Sequence, residues 1–207
     1  MLIGIDLDNT IIRYDGLLHK IALERGLIGS EIPENKRAVR DEVRSKFNDE
    51  EWQKLQIAIY GEQIFRAELM PGVWNFLSEL KVRSWPFKII SHKTRFPNYG
   101  SPKIDLREAA MEFLAGNDFF AESGLGMVPD DVWFLPTRVD KINKIKELRC
   151  DVFIDDLVEV FDDDHFPEEI IAILFSAESG RKDFTKGKVF SSFDQIGSFL
   201  FQCGELS

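Results

Sequence analysis

The stretch Gly4-Ile5-Asp6-Leu7-Asp8-Asn9-Thr10 places two aspartates, one residue apart, where an apolar run ends. Leu2–Ile5 has the length and composition of a buried strand. In open α/β sheets, ligands bind beyond the carboxyl ends of the strands, where the strand order switches. On a continuing strand, residues i and i+2 face the same side, so Asp6 and Asp8 are able to converge on one ligand or metal ion. Asp and Asn are also ordinary turn formers. The functional reading therefore depends on partners further along the chain.

Working outward, further short apolar runs occur at Phe87–Ile90, Val132–Leu135, Val152–Ile154 and Ile170–Phe175, with a weaker one at Val189–Phe190. They carry little polar alternation, as expected for parallel strands covered on both faces. Helical patterns lie between them. Pro71-Gly72 opens Val73–Val82, whose Val73, Phe76, Leu77 and Leu80 recur at helical spacing. Asp105 with Glu108 resembles a capping box, with Gly116 as the stop. Thr137 is placed to cap a third helix with the apolar stripe Val139, Ile142, Ile145 and Leu148. Strands alternating with helices predict an α/β fold, a doubly wound, Rossmann-like parallel sheet.

Two segments interrupt the alternation. Between Gly16 and Met70 no strand is expected, only amphipathic helical pattern: Glu34–Phe47 is charge-rich, and Asn48 is placed to cap Glu51–Leu69. This predicts a small helical cap domain over 16–70, inserted after the first strand into an α/β core of 1–15 and 71–207. A second insertion, from Arg95 to about Asp131, holds Pro97, Asn98, Gly100 and Pro102, then a helix, then Ser123-Gly124-Leu125-Gly126. Loops of that length are uncommon unless functional.

Composition narrows the classes. The 207 residues are 44% hydrophobic and 30% charged, which excludes a disordered chain and supports a substantial core. No apolar run approaches the roughly 18 residues of a membrane helix. The opening Met-Leu-Ile-Gly-Ile-Asp lacks signal-peptide features, and Cys150 and Cys203 are too few for a disulfide framework, so a cytoplasmic protein is expected. Lys and Arg total 26 against 36 Asp and Glu, a net charge of −10, which argues against nucleic acid as a partner. A small anionic substrate remains compatible, since one metal ion or a few cations reverse the field inside a cleft.

A second carboxylate pair, Asp155-Asp156, ends the run Cys150-Asp151-Val152-Phe153-Ile154. Adjacent ionised carboxylates repel, so a cation is their natural compensation, and hard oxygen ligands favour Mg²⁺. The run Asp162-Asp163-Asp164 follows no strand and reads as a solvated loop. Ser91, just after Phe87–Ile90, presents a hydroxyl able to donate to a phosphate oxygen, with His92 beside it. Lys141 and Lys144 share a helical face ahead of the acidic pair, and spacing does not choose between them.

These residues resemble the four motifs of the haloacid dehalogenase superfamily, in the right order over residues 1–160. Asp6-Leu7-Asp8-Asn9-Thr10 is similar to the first motif, Asp-x-Asp-x-Thr; Ser91, Lys141 and Asp155-Asp156 are similar to the second, third and fourth. The helical insertion falls where many members carry a cap. The resemblance implies a phosphomonoester hydrolase acting on a small phosphorylated metabolite, a sugar phosphate or a nucleotide. Asp6 would be the nucleophile, forming an aspartyl-phosphate, with Asp8 as acid and then base. Asp6, Asp8 through its carbonyl, and Asp156 would hold Mg²⁺ with Asp155 in support; Thr10, Ser91, His92 and Lys141 would meet the substrate. Asp8 and the acidic pair favour phosphate chemistry over carbon–halogen cleavage. A phosphomutase shares the four motifs, and a catalytically silent binding module keeps the same fold.

Substrate choice is expected in the insertions. Arg37, Arg40 and Arg44 fall on one possible helix face, where they would meet a second anionic group or simply form a solvated charged face. Trp52, Tyr60 and Phe65 would line a pocket or serve as core.

Overall fold

The computed structural model describes residues 1–97, 104–176 and 184–204, with side chains through residue 202. Asn98, Gly100 and Pro102 of the second insertion, and the Cys203 side chain, lie outside the described residues. In chain order the elements are β1 Ile3–Ile5, β2 Ile12–Arg13, α1 Asp15–Glu24, α2 Lys36–Lys46, α3 Asp49–Ile57, β3 Glu68–Leu69, α4 Val73–Val82, β4 Phe87–His92, α5 Leu106–Gly116, β5 Val132–Leu135, α6 Arg138–Leu148, β6 Val152–Asp155, α7 Val158–Phe161, β7 Ile171–Phe175, β8 Lys188–Phe190 and α8 Phe193–Gly204. All six apolar runs of the sequence are strands of one sheet, in the order β5-β4-β1-β6-β7-β8. Every neighbouring pair in it is parallel. The α/β, Rossmann-like fold is thus the one expected.

The chain forms two compact units: 1–11, 69–92 and 127–207, and 12–68 with 93–126. The sequence reading kept 93–126 with the sheet. The second unit instead groups it with 12–68, because α5 supplies Phe113 and Leu114, both buried, and Ile104 lies against Gly61.

In the first unit β1 is the central strand. The chain runs from β1 to β4 and β5 on one side, then returns to β6 on the other, so the switch in strand order falls at β1/β6. That crevice is where open parallel sheets bind ligands. Gly4 makes the close packing there possible: a Cβ on it would lie 2.6 Å from a Phe153 ring carbon. Phe153 belongs to the buried cluster on that side, with Ile142 and Ile145 of α6, Phe161 and Leu174. Gly72, with φ +81°, makes the left-handed entry to α4 that a side chain would strain.

The capping residues act as read. The Asn48, Asp105 and Thr137 side chains accept amide hydrogens at the starts of α3, α5 and α6. Because α6 carries Lys141, Thr137→Ala is expected to lower stability by about 1 kcal/mol; an unchanged denaturation midpoint would show that the cap contributes nothing.

Three expectations are corrected. The helix Glu51–Leu69 is not continuous: α3 ends at Ile57, and a π-helical turn, Ala58–Glu62, and a 3₁₀ turn, Ile64–Arg66, follow. Gly61 is a weak helix former, and a Cβ on it would meet Ile104 at 2.5 Å, so packing sets the backbone here. A short strand, β3, lies inside the span where none was expected and pairs with β2 as a separate two-stranded sheet. Val139 is 45% exposed and leaves the apolar stripe of α6, which buries Ile142, Ile145 and Lys141 instead. Among the described residues no helix is long and apolar enough to cross a membrane.

Candidate active site

The site is built at the carboxyl ends of β1, β4 and β6. Pairing continues one residue past β1, where the Asp6 amide donates to the Ile154 carbonyl at 2.8 Å. The chain then turns sharply. Asn9 takes φ 61°, a left-handed conformation that Asn tolerates better than most residues. The Ile11 amide donates to the Leu7 carbonyl at 2.9 Å and closes the turn. Thr10 is thereby fully buried, and its Oγ1 has no hydrogen-bond partner. A buried hydroxyl left unsatisfied costs about 1–3 kcal/mol, so Thr10 is a position where an acceptor oxygen of a ligand would fit.

Buried charge dominates the centre. Lys141 Nζ donates to Asp6 Oδ1 at 2.5 Å and to Asp155 Oδ2 at 2.6 Å. All three groups are buried: Lys141 is 1% exposed, Asp155 0% and Asp6 4%. Asp155 Oδ1 also accepts the Leu157 amide at 3.0 Å, so both of its oxygens are engaged. Burial pushes the Asp6 carboxyl up to about 7; the Lys141 charge opposes this, and the charges of Asp155 and Asp8 add to it. Burial would discharge Lys141, but Asp155 and Asp6 outweigh that and hold it in the charged form, its proton affinity raised.

Asp6, Asp155 and Asp156 each bring one carboxylate oxygen within 4.8 Å of the others. Three carboxylates against one ammonium leave excess negative charge, and an all-oxygen donor set suits a hard divalent cation. The residues present therefore fit a metal ion of the Mg²⁺ class. Asp8 is half-buried and near enough for its charge to act on Asp6, but its carboxylate is not one of the three.

Ser91 is 1% exposed on β4, two residues beyond Ile89, which pairs with Ile5. It therefore stands at the same sheet edge as Asp6. His92 follows it and is exposed, and its ring hydrogen-bonds the Pro136 backbone. Partial burial, and then the charge of Lys141, hold its pKa below the ordinary histidine value. The structure separates the two lysines: Lys141 enters the carboxylates, whereas Lys144 pairs with Glu147 at 2.6 Å and lies 4.1 Å above the Trp133 ring centre. The Leu157 amide was not anticipated from the sequence, since a backbone donor leaves no residue-type signal. In the acidic run, Asp163 is tied to His165 and Arg138 rather than simply solvated.

No protein-family model matches the sequence, and no curated protein matches it. Solved structures do. A HAD-family hydrolase from Deinococcus radiodurans R1, with bound phosphate and sodium, superposes with a TM-score of 0.60 at 13% identity, covering 98% of this chain and 96% of that one. A predicted phosphoglycolate phosphatase from Haemophilus somnus 129pt gives 0.53 at 12%, covering 96% of each chain. A dehalogenase with an intermediate complex gives 0.59 at 9%, again covering 96% of each. At such identities the likeness establishes the fold, over nearly the whole length of each chain.

Proposed function

We propose, proceeding from the haloacid dehalogenase-superfamily fold that this chain carries, that it is a phosphomonoester hydrolase with Asp6 as its nucleophile. The observation that carries the reading is the Asp6–Lys141–Asp155 cluster, which holds one oxygen of a buried carboxylate in a fixed place at the sheet's switch point. Lys141 binds Oδ1, and Oδ2 is the oxygen presented to phosphorus. Attack forms an aspartyl-phosphate as the bond from phosphorus to the leaving oxygen breaks. Asp8 gives its proton to that oxygen, then takes one from the water that attacks the intermediate. Phosphate leaves, and Asp6 is regenerated. Positioned proton transfer of this kind is worth about 10² to 10⁴ in rate.

Lys141 counters charge on the transferred phosphoryl, and the Thr10 and Ser91 hydroxyls are the candidate donors to its oxygens, with His92 beside them. Asp6, Asp156 and the Asp8 carbonyl would hold Mg²⁺; Asp155, occupied by Lys141 and Leu157, supports from behind. When bound, the ion supplies further charge neutralisation and keeps Asp6 ionised against the pull of burial. Asp8 and the acidic pair favour phosphate chemistry over carbon–halogen cleavage, because a halide leaving group needs no proton. The unit of 12–68 and 93–126 is proposed to act as the cap. The substrate is proposed to be a small phosphorylated metabolite.

Hydrolysis of an aryl phosphate tests the reading. Phosphate release is expected with Mg²⁺ and is expected to stop on adding a chelator. Mg²⁺ at a hundred times its dissociation constant is expected to stabilise the fold by about 2.7 kcal/mol, read as a thermal shift. A folded, Mg²⁺-binding protein silent across a broad phosphate panel, bisphosphates included, would overturn the hydrolase in favour of a binding module.

A further inference from the structure

The second unit holds a groove that the reaction above does not use. One wall is α5, the other the π-helical and 3₁₀ turns that follow α3, and every residue lining it belongs to that unit. The cavity within it is about 430 Å³, inside the range of roughly 300–1,000 Å³ for ligand pockets. Its floor is apolar: Ile64 and Phe113 are buried, Ile104 and Ala109 half-buried. Phe65, read from the sequence as a pocket or core residue, lines this groove and is 72% exposed. The groove is closed at Gly61, where a Cβ would stand 2.5 Å from Ile104, and open at Gly116, where a Cβ would meet nothing within 4 Å.

The rim is acidic. Glu62 stands on one wall, Glu108 and Glu112 on the other, one turn apart along α5, and all three are exposed. Four residues of helix rise about 6 Å, the spacing at which a helix laid along α5 presents successive cations. Among the described residues none of the three has an ion-pair partner. The charge of Glu108 reaches Arg95, but that guanidinium is bonded to Asp105 at 2.7 Å. A second copy of this chain is a poor complement. It carries a net charge of −10, and the arginines of its α2 are already paired, Arg37 and Arg40 with Asp41 and Arg44 with Asp49.

We infer that this groove docks a basic amphipathic helix of another protein, its large apolar side chains against Phe65 and Ile104 and its lysines or arginines against Glu62, Glu108 and Glu112. An apolar floor alone accepts many partners; the acidic rim selects the cationic one and steers its approach. The inference does not depend on the hydrolase reading.

Fluorescence anisotropy tests it with a labelled helical peptide of leucines and lysines in amphipathic order, and with a twin carrying glutamate for every lysine. The full chain is expected to bind the lysine peptide and not the twin. Phe65→Ser is expected to weaken binding roughly ten- to a hundredfold, the range for losing one buried aromatic contact. Glu62→Gln combined with Glu112→Gln is expected to weaken it about tenfold. Glu168→Gln combined with Glu169→Gln, exposed positions of the other unit with the same change in net charge, is expected to leave it nearly unchanged. Gly116→Trp sets a ring in the open end and is expected to weaken binding as much as Phe65→Ser does. Glu62, Phe65 and Glu112 are exposed, so their variants decide the matter if Gly116→Trp fails to fold. Equal losses for the two glutamate pairs, or undiminished binding by a folded Phe65→Ser or Gly116→Trp, would overturn the inference. So would a dimer of this chain, seen by sedimentation, that Phe65→Ser dissociates, since a second copy would then occupy the groove.

Discussion

Asp6→Asn is expected to lower aryl phosphate turnover on the order of 10⁴ to 10⁶-fold, the range seen when members of a covalent-catalytic unit are removed, while the protein stays folded. The amide nitrogen and oxygen fill the same volume, and Lys141 keeps its bond to Asp155 at 2.6 Å. The amide has no carboxylate oxygen with which to attack phosphorus. Stability carries an independent signature. Burial raises Asp6 from 3.8 to about 7, so between those values the folded chain binds more protons than the unfolded chain. The contribution of Asp6 to stability is therefore fully present below about pH 4 and is lost as pH rises through about 7. Asp6→Asn removes that slope in metal-free protein, which denaturant melts at pH 5 and pH 8 would reveal. A well-folded variant retaining substantial turnover would end the nucleophile assignment.

Lys141→Met is expected to destabilise the metal-free protein by about 3–5 kcal/mol at pH 8, the cost of breaking a buried ion pair by deleting one partner. For a chain of this size that corresponds to roughly 6–20 °C in melting temperature. Asp6 and Asp155 would then face one another without their shared cation. The loss is expected to shrink toward pH 5, because Asp6 relieves the repulsion by taking up a proton. Mg²⁺ is expected to restore part of it, since a cation among the same oxygens replaces the missing charge. Lys144→Met, which removes a pair with the exposed Glu147 and the ammonium over the Trp133 ring but leaves no buried carboxylate without its partner, is expected to cost about 1–2 kcal/mol. Equal stabilities for the two variants at pH 8 would refute the central role given to Lys141.

The residues themselves explain why some of this was legible and some not. The strands were readable because each is an uninterrupted apolar run, and a parallel sheet demands that of strands covered on both faces. Asn48, Asp105 and Thr137 were readable because a cap satisfies amides two or three residues away, a purely local requirement. The break at Ala58 was hidden, because the apolar pattern runs on through it; the close approach of Ile104 to Gly61, within that turn, joins residues distant in sequence. The β2–β3 pairing was hidden for the same reason: two-residue strands carry no periodicity.

The site divides along the same line. Asp6, Asp8, Thr10, Ser91 and the Asp155-Asp156 pair could be singled out beforehand, since each follows an apolar strand, and parallel strands bring their carboxyl ends to one edge. The choice of Lys141 over Lys144 could not, because both lie on one face of α6 and differ only in what that face meets. The packing of Ile142 and Ile145 against the sheet rotates α6 so that Lys141 enters the carboxylates and Lys144 lies over Trp133. Likewise Tyr60 could be marked as a pocket or core residue from the sequence, but its meeting with Lys36 and Lys93 arises only once α2, the π-helical turn and the segment after β4 are folded. Local chemistry and strand order thus determined the fold and most of the acidic centre. Partner choice among equivalent side chains awaited the tertiary structure, because it is set by rotations and approaches that no short stretch of chain encodes.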